Sequence, residues 1–84
     1  MTLPDRPVTL SVEQIAGLNQ ALSNMRHDIN NYLSLVLAAS ELIRVKPEMV
    51  ERMAGTLGEQ PARIEAAVRK FSATFESTFG IVRG

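Results

Sequence analysis

The chain has 84 residues, enough for one domain at most and for only a modest core of its own. Nine basic residues cancel nine acidic ones, a balance that argues against a nucleic-acid or anionic-membrane surface. There is no cysteine, so no disulfide or thiolate metal site reinforces the fold, while 45% of residues are apolar, ample for a helical core.

Met1 to Leu10 reads as a flexible arm, with Pro4 and Pro7 inside it. It lacks the apolar centre of a signal peptide. A helix is predicted from there. Ser11 is a good N-cap, and Gln14 completes a capping box. Leu10 and Ile15 take the flanking positions of a hydrophobic staple. Apolar residues then recur at Ile15, Leu18, Leu22, Met25, Ile29, Tyr32, Val36, Ala39 and Ile43. The spacing alternates three and four, the pattern of a coiled-coil seam. Leu33, Leu35 and Leu42 widen the stripe to what a bundle needs. Arg44 suits the negative end of the helix dipole. The longest near-apolar run, Leu33 to Ala39, contains Ser34 and is too short to span a bilayer. A soluble, cytoplasmic protein is the expectation.

Lys46-Pro47 marks a stop and a restart, because the residue before proline is disfavoured in a helix and proline is favoured at its first position. Glu48 falls in the first turn, where the dipole favours it. A second helix is predicted over 47–79, on Val50, Met53, Leu57, Ile64, Ala67 or Val68, Phe71, Phe75 and Phe79. The alternation is broken around Gln60, and Gly55, Gly58 and Pro61 interrupt the segment. Proline inside a helix removes a hydrogen bond and kinks the rod. The preserved phase favours one kinked helix over two. Gly80 is a natural C-cap, and 81–84 form a tail.

The expected fold is therefore all-α: an antiparallel two-helix hairpin over 11–80, with helices at 11–44 and 47–79. A lone hairpin cannot cover so wide an apolar stripe. The simplest closed solution is a two-fold homodimer forming a four-helix bundle.

Inside the first helix lies His27-Asp28-Ile29-Asn30-Asn31, which holds the only histidine. His, Asp and Asn each cost roughly 0.5 kcal/mol against Ala in a helix interior. A local conflict inside a consistent pattern points to function. In the heptad frame His27 points away from the seam, sharing its face with Asn24, Asn31 and Ser34. Gln20 and Ser23 extend that stripe, and Asp28 lies beside it. A solvent-facing imidazole near neutral pH keeps a lone pair on one nitrogen, which can attack phosphorus. Asp28 can hold the ring's tautomer and accept the released proton, and Asn31 can donate to a phosphoryl oxygen. One His, one Asp and amides make a poor metal set. No metal and no cofactor are expected, and no nucleophile elbow supports a Ser/His/Asp triad.

The run His27-Asp28-Ile29-Asn30-Asn31-Tyr32-Leu33 resembles the H-box of the dimerization and phosphoacceptor domain of two-component histidine kinases. It is closest to the variant in which His-Asp is followed, after one residue, by Asn-Asn. The specific motif spans about seven residues, while the architecture covers most of the chain. The resemblance implies a dimeric helical bundle with an exposed phosphoacceptor, His27. It implies Asp28 as base or orienting acid, and Asn31 as the residue assisting phosphoryl transfer or dephosphorylation. Many members carry Pro where this chain has Tyr32. The 84 residues hold no nucleotide fold, and Gly55-Thr56-Leu57-Gly58 is too sparse for a phosphate cradle. The phosphate is therefore expected from a separate histidine kinase or a phosphorylated receiver domain of a response regulator.

Asn30 and Arg63 are placed as further supports for a phosphoryl group, Arg63 because pairing about a turn at Val45 puts it level with His27. Ser34, Leu37 and Ala38 are placed as a docking patch for the receiver domain. Phe71, Phe75 and Phe79 read as core, and Arg69 and Lys70 as a solvated charge pair. The expected role is histidine phosphotransfer in a two-component or phosphorelay pathway. One rival is a chemically idle binding module that scaffolds or inhibits a kinase or response regulator. Another is a purely structural oligomerization domain.

Overall fold

A computed structural model describes residues 3–80. It contains two long helices, α1 (Val12–Val45) and α2 (Val50–Phe79), joined by a short 3₁₀ turn, Pro47–Met49. They pack against each other as an antiparallel hairpin.

The start of α1 follows the capping box. The Ser11 hydroxyl accepts from the Gln14 N–H at 3.0 Å, and the Gln14 side chain accepts from the Ser11 N–H at 2.8 Å. Two of the orphan donors of the first turn are thereby satisfied. At the far end the Arg44 guanidinium pairs with Glu41, which holds the Glu41 carboxyl below its usual range. Lys46 leaves the helix, and its N–H donates to the Leu42 carbonyl at 2.7 Å. Pro47 opens a 3₁₀ turn rather than α2 itself, so α2 begins three residues later than the sequence suggests. Gly80 ends α2 in the left-handed region, φ 68°, where a side chain would be strained.

Pro61 sits inside α2, and the helix runs through it unbroken. Its missing N–H frees one carbonyl in the turn before it. In that same turn the Gln60 side-chain amide donates to the Thr56 carbonyl at 2.7 Å.

Gln60 is also the most buried side chain among the described residues, 1% exposed. The sequence reading treats it as a break in the apolar alternation. In the structure Met53, Leu57, Gln60, Ile64, Ala67 and Phe71 face inward in one continuous three-four alternation. Gln60 is thus a seam residue, and its carbonyl oxygen Oε1 is buried without a hydrogen-bond partner.

The seam is thin. Ala39 and Ala67 are the buried apolar residues, both small enough to let the helices approach closely. Most of the remaining seam residues are only partly buried, and Ile15 and Leu33 are 55% and 51% exposed. The chain exposes 6391 Å². A compact protein of its mass exposes about 4,900 Å². Its radius of gyration is 18.0 Å, where about 12 Å is usual for this length.

The two faces of the hairpin differ. Turning about 100° per residue, Ile15 and Leu33 lie about 120° round α1 from the α2-facing Ala39, and His27 lies about 120° round the other way. On α2, Val50 and Val68 lie about 100° from Ala67 in the first sense, and Lys70 about 60° in the second. Because the helices are antiparallel, equal senses fall on the same side. Ile15, Leu33, Val50, Val68 and Phe75 therefore expose apolar surface on one face, and His27 and Lys70 share the other.

Two substitutions check this packing. Replacing a buried amide that leaves an oxygen unpaired removes a desolvation penalty, so Gln60→Leu is expected to stabilise by about 1 kcal/mol. A Cβ at Gly55 meets nothing within 4 Å, so Gly55→Ala is expected to add about 0.5–1 kcal/mol. Thermal unfolding at fixed concentration reads both. A lowered midpoint for either contradicts the packing described.

Candidate functional site

The His27 run occupies the fifth and sixth turns of α1, where regular helix holds every side chain at a set azimuth. The His27 side chain is 75% exposed and that of Asp28 44%. Asp28 Oδ1 stands 3.6 Å from His27 Nδ1. That is beyond hydrogen-bond length, so the carboxylate stands beside Nδ1 without bonding it.

The polar stripe forms as the spacing requires. Asn24, Asn31 and Ser34 are exposed and lie about 60°, 40° and 20° round the helix from His27. The Gln20 amide donates to Asn24 Oδ1 at 2.9 Å, which leaves the Asn24 N–H groups as donors. Asn30 is exposed about 60° away on the other side. Ala38 lies about 20° from His27, three turns on, whereas Leu37, exposed, is about 80° round toward the back of α1.

A shallow groove of about 60 Å³ runs between the helices at the level of His27; Asp28 lines it and His27 does not. On α1 it is lined by Ala21, Asn24, Met25 and Asp28; on α2 by Ala67, Lys70, Phe71 and Thr74. This lining sets the antiparallel level: Ala21, Met25 and Asp28 run against Thr74, Phe71 and Ala67. Arg63 is therefore not level with His27. It lies about 10 Å along α2 from Lys70, toward the connection. The reason is the 3₁₀ turn, which inserts Pro47–Met49 before α2 begins and shifts the pairing. The Arg63 guanidinium is held by Glu59 at 3.2 Å.

Lys70 is what the sequence reading passed over. It reads as half of a solvated pair with Arg69, but the two diverge. Arg69 turns outward to Glu65 at 3.5 Å, and Lys70 lines the groove with Asp28. The signal available was azimuth: Lys70 is about 60° from Ala67 and Arg69 about 200°.

Phe71, Phe75 and Phe79 contact one another along α2 with their rings tilted, centroids 6.1 Å and 4.7 Å apart. Phe75 is partly exposed, on the apolar face. Among the described residues no three His, Cys, Asp or Glu side chains gather as a metal set, and no helix is long and apolar enough to cross a membrane. Compared with protein families, curated proteins and solved structures, the chain matches none.

The placement of His27 outside the seam and away from the apolar face has a chemical readout. Diethylpyrocarbonate is expected to modify His27 readily in the folded protein, with helicity and oligomeric state unchanged. Protection of His27, or unfolding on its modification, contradicts this placement.

Proposed function

We propose that the chain is a histidine phosphotransfer protein of a two-component or phosphorelay pathway, carrying phosphate on His27 and exchanging it with an aspartate of a receiver domain. The observation that carries this reading is the setting of His27. Its imidazole stands exposed on the polar face, with a carboxylate 3.6 Å from Nδ1. The resemblance of His27 through Leu33 to a phosphoacceptor H-box supports it.

The chemistry follows from that setting. The Nε2 lone pair attacks the phosphorus of an aspartyl phosphate on the receiver. A P–N bond forms as the P–O bond to the aspartate breaks, and the aspartate leaves as a carboxylate. The proton on Nδ1 passes to Asp28 or to solvent. Asn31, on the next turn, donates to a phosphoryl oxygen. In the reverse direction a receiver aspartate attacks the same phosphorus. Ser34 and Ala38, about 10 and 16 Å along α1 from His27 on its stripe, provide a small polar and apolar surface for the receiver to dock on, with Leu37 at its edge toward the back of the helix.

The reading includes a homodimer. The exposed apolar face of one hairpin is closed by the same face of a second copy, giving a four-helix bundle. The dimer would leave both His27 faces outward and open to partners. The exposed area in excess of a compact protein's supports this.

Incubation with phosphorylated receiver domains tests the reading. Acid-labile label is expected on the wild type and none on His27→Ala. Asp28→Asn is expected to slow transfer about 10²-fold. Partner binding with no label on either protein would replace this reading with a chemically idle module that scaffolds or inhibits its partner.

A further inference from the structure

We propose that Lys70, on the opposite helix, supplies the cation that holds the phosphoryl group at His27. The inference rests on the reading of His27 as phosphoacceptor and adds a residue from α2 to a site otherwise built from α1.

A phosphoryl group brings up to two negative charges next to Asp28, which is itself an anion. Something must offset that charge. Arg63 and Arg69 are held by Glu59 and Glu65 on their own helix, at 3.2 Å and 3.5 Å. Among the described residues the Lys70 ammonium has no carboxylate within ion-pair distance.

Its position fits the need. Lys70 lines the groove with Asp28 and Asn24. By the level of that groove it stands within about 3 Å, along the helix axis, of the residue opposite His27. Packed helices lie about 8–10 Å apart, and an extended lysine spans most of that distance. Asn24 adds amide donors on the same face, since its oxygen is taken by Gln20 at 2.9 Å. The Thr74 hydroxyl is occupied by the Lys70 carbonyl at 3.2 Å, so Lys70 is the cation of this groove and Asn24 its neutral donor.

Phosphoramidate, a small anionic donor, separates this from receiver docking. Its P–N bond to ammonia breaks as a P–N bond to His27 Nε2 forms, and ammonia leaves with the imidazole proton. Lys70→Gln is expected to lower the second-order labelling rate about two- to fivefold, the range of an exposed charge interaction. It is also expected to flatten the fall of that rate with added salt. Lys70→Arg should retain both the rate and the salt dependence, and Arg69→Gln should match wild type. Thermal unfolding curves confirm that the variants fold.

Label on His27 with equal rates and equal salt dependence in wild type and Lys70→Gln overturns the role of Lys70 and leaves the phosphoacceptor reading standing. Absence of label on wild type, from phosphoramidate and from a labelled receiver domain alike, removes both.

Discussion

Two antiparallel helices meet along one line, and one line cannot hide an apolar stripe wider than itself. In this hairpin the line is built on Ala39, Ala67 and Gln60, which are the buried residues among those described. Small side chains let the helices come close, but they contribute little buried area. The larger residues, Ile15, Leu33, Val50, Val68 and Phe75, face outward on one side. Fully burying a large apolar side chain is worth about 1.5–3 kcal/mol, so leaving these five about half exposed forgoes roughly 4–7 kcal/mol, a large share of the stability of a small domain. The rest of the molecule follows from how that face is closed.

Closure of the apolar face decides what stays open. His27 lies about 120° from Ala39 in the opposite sense to Ile15 and Leu33, so any partner that covers those residues leaves the imidazole in solvent. Asp28 stands beside the imidazole on the same helix. Lys70 comes from α2, across a groove whose other lining is apolar or neutral apart from Asp28. The proposed site thus draws on both helices of the hairpin.

Much of this was legible in the sequence, and the failures have identifiable causes. The Ser11 capping box, the proline restart and the Gly80 cap are local signals, and local signals survive folding. The outward placement of His27 needed only a constant helical pitch over α1. Gln60 looks like a break because its residue type conflicts with its phase: its position in the alternation suits the seam, and an amide stays there by donating to the Thr56 carbonyl. The position of Lys70 is hidden for a different reason. Which residue of α2 stands opposite His27 depends on the length of the connection, and a single 3₁₀ turn moves that level from Arg63 to Val68, two residues from Lys70. Sequence periodicity reports azimuth within a helix but not the axial offset between two helices. Nor does one chain's pattern identify what covers its exposed face.

The claim that everything else leans on is that a second copy closes the apolar face, and sedimentation equilibrium at micromolar concentration tests it directly. A mass twice the 9.2 kDa of one chain, with helical circular dichroism, is the expected result, and Val68→Glu should shift it toward one chain. A single-chain mass with full helicity and a cooperative unfolding transition would contradict the account, because the hairpin would then be stable with its widest apolar face in water.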